Sequence, residues 1–460
     1  MRSSALPTRL NMQFRPRTIA RQMDVRVRLW LAADRWVAYT GQRHRTRADG
    51  GGDAVRSRKK RLSVLFLTPV FPDERHPAAG TFVRRHAEAI GRFCDVYVVH
   101  LEEEKPERDT LRTRIVHEDA DGFHLLHVYY SGAESRTGRV VTPNILRPVR
   151  AALEGLHVCG ADHIDIVHGN MTRGAGLAAL MVSRTLGVPY VVTEHHTGLL
   201  RDNSPEPALG HRALMHLVVA DAGAVTVVSQ GLAEAMADRG LRAKRYDVIA
   251  NVAEPTVTPL GRPPFDGRIP FVHVSFLLDV QKNVSGLLRA VRTVADKRQD
   301  FRLHLVGSGP DAERLRAYTT ELELDDFVVF EGLKRHEEVL ASIADFAFLV
   351  MFSNYETFCV ALAEAIATGI PVISPDIVGP QDFMSPEVGL TVKAGDEADL
   401  ADAIHWMLDH YAHFPAQQLR DYAAERFSVE RIGKQFESVY REVLAAGRTS
   451  LPRPLQAPRA

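Results

Sequence analysis

The sequence is poor in cysteine, in tryptophan, in long apolar runs and in net charge, and each shortage closes off a class of protein. Its 460 residues hold three cysteines, Cys94, Cys159 and Cys359. They are too few and too far apart for a disulfide framework or a cysteine metal set, and such sparse use fits a reducing compartment. No apolar run approaches the ~18 residues of a membrane-spanning helix. The longest, Phe346 to Phe352, has the length of a buried strand. Arginines punctuate the first residues, where a secretory signal would need an uninterrupted apolar stretch, so the expected location is the cytoplasm. Lys and Arg together number 57, as do Asp and Glu. That balance excludes a strongly basic nucleic-acid binder only if the charge is evenly spread. What is there is ordinary globular material, 45% hydrophobic and 25% charged. At ~150 residues per domain the length suggests two or three domains.

The charge is not evenly spread. Residues 1–61 hold sixteen Arg and Lys against four Asp, a surplus of +12, and the remainder carries the balancing −12. The same segment holds Trp30 and Trp36, and its apolar residues between Ile19 and Tyr39 can line one side of a helix. It reads as a basic extension, disordered or amphipathic. An anionic membrane surface on the cytoplasmic side is the partner such a segment would suit.

From Leu62 onward short apolar runs alternate with helical patterns. Strands are expected at Leu62–Leu67, Asp95–His100, Asp165–His168, Tyr190–Thr193 and Ala224–Val228, with helices such as Thr81–Phe93 and Gly174–Leu186 between them. A proline-rich break at 251–270 is followed by the same alternation, and a helical tail covers 428–446. Strand–helix alternation of this kind implies parallel sheets with helices on both faces. The expected organisation is an α/β domain over 62–250, a linker over 251–270, a second α/β domain over 271–426, a helix over 427–446 and a frayed end over 447–460.

The most informative stretch is Ser353-Asn354-Tyr355-Glu356-Thr357-Phe358-Cys359, followed by a helix that carries Glu364 and by Gly369-Ile370-Pro371-Val372. Gly369 is well placed to end the helix in a left-handed conformation. If the helix reached back to Glu356, the two glutamates would be about 12 Å apart along its axis and roughly 80° apart around it. Both could then look into one crevice outside the carboxyl ends of the strands. The string resembles the paired-glutamate region of retaining glycosyltransferases of the GT-B fold, specifically glycosyltransferase family 4. The resemblance implies two Rossmann-like domains facing a central crevice, with the last helix crossing back to the first domain. It implies that Glu364 holds the ribose hydroxyls of a sugar nucleotide and that Glu356 contacts the donor sugar. The amides of Thr357, Phe358 and Cys359 would face sugar and pyrophosphate. Cys359 departs from the family, which most often has glycine there.

Further matches fall in order along the chain. Ser275 and Lys282 occupy the stretch where the family places a lysine on the donor pyrophosphate. Leu277 stands where many relatives carry arginine, and Ser275 is a candidate to replace that lost cation as a phosphate donor. Leu305 to Pro310, with Gly307, resembles a strand-end glycine turn. Val329 to Lys334, ending in Lys334, resembles the stretch whose backbone meets the base. In the first domain, Thr68 to Val83 resembles the opening strand and glycine loop, which puts Gly80 and Thr81 beside the donor phosphates. Gly187 to His196 resembles a strand ending in a histidine that reaches the donor sugar. His195 is assigned that role, with His196 as the alternative.

The resemblance therefore implies transfer of a hexose-type sugar from a nucleoside diphosphate sugar to a hydroxyl acceptor, with anomeric retention. Glycan, lipid-linked and small-molecule acceptors all fit. The nucleotide sugar is a co-substrate, and no cofactor, metal or nucleic acid is expected. A sugar-nucleotide epimerase or a phosphorylase on the same fold, and a catalytically silent scaffold, are the competing readings. A nicotinamide-dependent dehydrogenase is disfavoured, because no G-x-G-x-x-G follows the first strand.

Overall fold

The computed structural model describes residues 61–450 apart from 74, 77–78, 105–112, 121, 132–148, 151, 158, 162, 201–208, 255–264 and 266. The expected amphipathic segment and its membrane contact, most of the proline-rich linker and the end of the tail lie outside the described residues. Arg61 belongs to the folded part and not to the basic extension. Its guanidinium donates to the carbonyls of Gly91, Arg92 and Cys94 at 2.7, 3.0 and 2.6 Å and to Asp95 at 2.8 Å.

The first sheet is built from β1 (Ser63–Thr68), α1 (Thr81–Gly91), β2 (Asp95–Glu104), β3 (Thr113–Ala120), β4 (Phe123–Ser131), β5 (Ile166–Asn170), α2 (Ala175–Leu186), β6 (Tyr190–Glu194), α3 (Leu209–Asp221), β7 (Ala224–Val227), α4 (Gln230–Asp238) and β8 (Tyr246–Val248). Its order is β3-β4-β2-β1-β5-β6-β7-β8, parallel except that β3 runs against β4. Strands β5, β6 and β7 are buried along their whole length, which is why they read as continuous apolar runs. The expected strand at 95–100 runs on to Glu104, and β3, β4 and β8 were not expected.

The second sheet comes from β9 (Ile269–Val274), α5 (Asp279–Lys282), α6 (Val284–Ala295), β10 (Phe301–Val306), α7 (Ala312–Glu321), β11 (Val328–Gly332), α8 (His336–Ile343), β12 (Leu349–Val350), α9 (Val360–Thr368), β13 (Val372–Pro375), β14 (Gly389–Val392), α10 (Glu397–His410) and α11 (Ala416–Phe427). Its order is β11-β10-β9-β12-β13-β14, and every described pairing is parallel. In both sheets the strand order reverses, at β1/β5 and at β9/β12. Ligands of open α/β sheets bind outside the carboxyl ends of strands at such reversals. The loops after β1, β5, β9 and β12 therefore flank the two places where a ligand would sit.

The last helix, α12 (Val429–Ser450), returns to the first sheet. Its Ile432, Phe436, Val439, Tyr440 and Val443 share one core with Val64, Phe66, Val83 and Ile90. A buried polar chain locks it there. Tyr440 Oη hydrogen-bonds His168 Nδ1 at 2.7 Å, His168 Nε2 meets Thr193 Oγ1 at 2.6 Å, and Thr193 meets Thr226 at 2.5 Å. Tyr440→Phe keeps the ring but leaves a nitrogen of fully buried His168 unpaired. The expected cost is about 1–3 kcal/mol, read as a lowered midpoint in thermal unfolding; an unchanged midpoint would show that the chain contributes nothing.

Candidate active site

Two loops of the second sheet are joined by one asparagine. The turn α5 follows β9 and is anchored from behind, with Asp279 accepting from Ser285 N at 2.8 Å and from Arg314 Nη2 at 2.7 Å. The loop after β12 reaches this turn through Asn354, whose backbone N donates to Gln281 O at 2.8 Å and whose side-chain amide donates to Val280 O at 3.0 Å. This join brings Lys282 Nζ to 2.5 Å from Glu356 Oε1, which also accepts from Ser353 Oγ at 2.9 Å. Both charged side chains are largely buried. Burial pushes the Lys282 ammonium toward the neutral form, but the Glu356 carboxylate more than offsets this and its pKa is raised.

The helix carrying Glu364 starts at Val360, so Glu356 lies outside it. The 12 Å and 80° offsets expected from a continuous helix therefore do not apply. Cys359 breaks the geometry. It is the N-cap residue with φ +69°, in the left-handed region that glycine tolerates best, which accounts for the usual glycine at this position. The expected left-handed Gly369 does end the helix, with φ +94°. The amides of Thr357, Phe358 and Cys359 have no protein partner among the described residues. The Phe358 ring faces the core, 5.1 Å from Phe383 and 5.6 Å from Phe427 between centroids, so only its backbone is available to a ligand. Glu364 sits mid-helix and nearly buried, and its Oε1 meets His336 Nε2 at 2.6 Å.

The expectation that Ser275 substitutes for a lost cation does not hold. Its amide donates to Val306 O at 3.0 Å. His273 is fully buried and its pKa falls to about 4 through burial. Its Nδ1 lies 3.0 Å from Val350 O and must carry the proton there, so Nε2 accepts from the Ser275 hydroxyl at 2.8 Å. Both protons of Ser275 are spent inside the protein. Leu277, at the position where relatives often carry arginine, is buried. Gly307 serves the fold at this point. A Cβ there would lie 1.8 Å from Ser275 O, its φ is +135°, and its amide donates to Gly332 O at 2.8 Å. Lys334 lies just beyond β11 with its ammonium 3.0 Å from Glu331.

From the first sheet, Gly80 is the left-handed N-cap of α1 with φ +69°, where a Cβ would meet the Val70 carbonyl at 2.9 Å. Thr81 is the first residue of that helix. Phe82 beside it packs on His195, 4.8 Å between ring centroids. His195 is buried, and neither ring nitrogen has a hydrogen-bond partner. Burial, reinforced by His86 and His168, holds its pKa well below the ordinary value. An orphaned, neutral, buried imidazole is costly unless a ligand completes it. By contrast, His196 Nδ1 accepts from Gly198 N at 2.9 Å, so its ring is committed to a local turn. Sequence reasoning missed Glu194. This buried carboxylate accepts from His195 N and His196 N, each at 2.9 Å, and from the backbone and hydroxyl of Thr172. It fixes the direction in which His195 leaves the sheet. Thr357 Oγ1 donates to His195 O at 3.0 Å, which puts the histidine and the Glu356 loop in direct contact across the crevice.

Among the described residues, one group of metal-type ligand atoms lies within 4.8 Å of one another, on Asp73, His76 and Glu102. Arg75 reaches both carboxylates, Glu102 at 3.0 Å and Asp73 at 3.7 Å, and already supplies their counter-charge.

Sequence models of two families match the chain, glycosyl transferases group 1 over residues 265–426 and the glycosyl transferase 4-like domain over residues 78–252. The second α/β domain belongs to the group 1 glycosyl transferases, and the first is a glycosyl transferase 4-like domain. The lipopolysaccharide 1,6-galactosyltransferase of Escherichia coli K12 is 29% identical over 197 residues, which is 42% of this glycosyl transferase and 54% of that protein. The match thus spans about half the length of that relative. N-acetyl-alpha-D-glucosaminyl L-malate synthase of Bacillus anthracis is 25% identical over 354 residues, 71% of this chain and 91% of that one. The structure of HepE from Anabaena in complex with UDP and glucose is similar with a TM-score of 0.61 at 19% identity, covering 85% of this chain and 100% of that one. The fold of the glycosyl transferase is accordingly GT-B. Among its described residues no helix is long and apolar enough to cross a membrane.

Proposed function

We propose that this glycosyl transferase moves a hexose-type sugar from a nucleoside diphosphate sugar to a hydroxyl acceptor, with retention at the anomeric carbon, in polysaccharide, lipopolysaccharide or glycolipid synthesis. The observation that carries the reading is the buried, orphaned ring of His195, a residue whose backbone carbonyl is held by Thr357 of the Glu356 loop. The relatives named above act on sugars, and HepE was solved with UDP and glucose. In this scheme the diphosphate sits at Lys282, at the turn of Gly80 and Thr81 and at the amides of 357–359. The sugar lies between His195 and Glu356, and the ribose on Glu364. As the bond from C1 to the diphosphate oxygen breaks, the acceptor oxygen bonds to C1 from the same face. The acceptor proton passes to an oxygen of the departing diphosphate. Negative charge grows on the diphosphate, and Lys282 with the helix-start amides stabilises it, so the scheme draws on no metal. Neutral His195 hydrogen-bonds a sugar hydroxyl.

The experiment incubates the protein with a panel of UDP-, GDP- and ADP-sugars and hydroxyl acceptors and reads product stereochemistry by NMR. Acceptor-dependent consumption of one donor with the donor's anomeric configuration kept is expected. An inverted product removes retention, isomerised donor without acceptor points to an epimerase, and no turnover of any donor sinks the reading.

A further inference from the structure

His336 is the first residue of α8, and its Nε2 is 2.6 Å from Glu364 Oε1 on α9. The ring is about four-fifths buried and Glu364 more so. The start of α8 is held in place by Glu338, which accepts from Arg335 N at 2.8 Å and from Arg335 Nη2 at 2.9 Å. Burial opposes protonation of His336, but the hydrogen bond and charge of Glu364 prevail and its pKa is raised. The other charges that reach it are Arg85 from α1, which opposes protonation, and its neighbour Glu337, which favours it. With Oε1 anchored, Glu364 Oε2 takes no protein donor among the described residues. A short charge-assisted hydrogen bond at one oxygen restricts how the carboxylate turns and leaves Oε2 for a ligand. Two vicinal hydroxyls match such a group.

We propose that His336 is a positioning residue for nucleotide recognition: by holding Glu364 it aims the carboxylate at the 2′- and 3′-hydroxyls of the donor ribose and makes the site select ribonucleotides over 2′-deoxyribonucleotides. This rests on the assignment of Glu364 to the ribose in the proposed function. The test titrates the full chain with UDP, GDP and ADP and their 2′-deoxy counterparts by calorimetry, in the wild type and in His336→Leu, His336→Gln and Glu364→Ala. The wild type is expected to prefer its ribonucleotide by about ten- to a hundredfold, the range of a charge-assisted hydrogen bond. His336→Leu loses about tenfold of that preference while the affinity for the 2′-deoxy form changes little. His336→Gln restores it, because its amide nitrogen can take the place of Nε2. Where the leucine variant does not fold, His336→Asn, polar but too short to reach Glu364, takes its place. A wild-type preference in the leucine or asparagine variant overturns the inference, as does an equal loss of affinity for both sugars, which marks a merely structural ring. A preference that survives Glu364→Ala overturns the ribose assignment instead. If none of the three nucleotides binds the wild type, both fall.

Discussion

Replacing Lys282 by alanine is expected to lower kcat/KM for the nucleotide-sugar donor by about two to three orders of magnitude, the size of losing one preorganised donor to a developing charge. The family resemblance implies two cations at the diphosphate. Here Leu277 is apolar and buried at one of those positions, and Ser275 has no proton left to give. The charge therefore rests on Lys282 and on backbone amides. Its ammonium is held at 2.5 Å from Glu356 before any donor arrives, and its pKa is raised, so it is charged throughout the neutral range. The alanine variant also leaves nearly buried Glu356 without its counter-ion, which alone destabilises a protein by several kcal/mol. The control is the pair Lys282→Met with Glu356→Gln, which removes both charges together and keeps the site neutral. A folded double variant with wild-type turnover would remove Lys282 and Glu356 from the chemistry. A folded double variant with the same large loss places the effect in catalysis and not in folding.

The contacts across the crevice describe a closed arrangement. Besides Thr357 on His195, the carboxylate of Asp382 accepts from Gln230 N at 2.5 Å, at the N-terminus of α4, where a negative group is favoured. Val378 lies against Gly231 so tightly that a Cβ there would come within 2.6 Å of its Cγ1. In the proposed reaction, closing the loops of both sheets over the diphosphate would exclude water that competes with the acceptor for the sugar.

Strands buried on both faces announced themselves as apolar runs, which is why β1, β5, β6 and β7 were legible. The pair β3 and β4 was not, because its sequences, TRIVHEDA and FHLLHVYYS, intersperse polar residues at the edge of the sheet. Strands β8 and β14 have three and four residues, too few to show a period. In the site, residue types were legible and their partners were not. Lys282 and Glu356 were read as separate contacts to phosphate and sugar, yet they pair with each other through a join made by Asn354, 74 residues along the chain from the Val280 carbonyl it holds. The continuous-helix geometry failed at Cys359, whose left-handed backbone cannot be read from a cysteine. Glu194 and His336 carried no signal of their own, since a strand-end glutamate and a helix-start histidine are common, and only the fold shows what each one holds.

Mild acid is expected to unfold this protein. Five of the buried histidines among the described residues, His86, His100, His168, His195 and His273, resist protonation because of that burial. Burial lowers the pKa of His86, His100 and His273 to about 4 and that of His168 to about 3, and holds His195 well below its ordinary value. In the unfolded chain the same rings titrate near ~6.5. Below that pH the unfolded state binds more protons, so stability falls as pH falls, and it keeps falling until the folded rings protonate near 4. Each ring contributes up to ~1.4 kcal/mol per pH unit, and five together cost about 6 kcal/mol between pH 6 and pH 5. Two groups act the other way, because the pKa values of His336 and Asp382 are raised in the fold and both gain protons there more readily. The lowered carboxylates, Asp73, Asp279, Asp300, Glu331, Glu338 and Glu442, exert their effect only below ~4.5. The two raised groups offset part of that loss, and what remains is a large share of the ~5–15 kcal/mol that holds a typical domain together. Circular dichroism melts from pH 8 to pH 5 should show a plateau above about 7 and a steep fall beneath 6.5. His168→Gln should flatten that fall by one proton, since it removes one ring that the folded state refuses to charge. A midpoint that stays level down to pH 5 would mean that these rings are not held neutral, and the sealed core beneath the crevice would have to be more accessible to water than its packing shows.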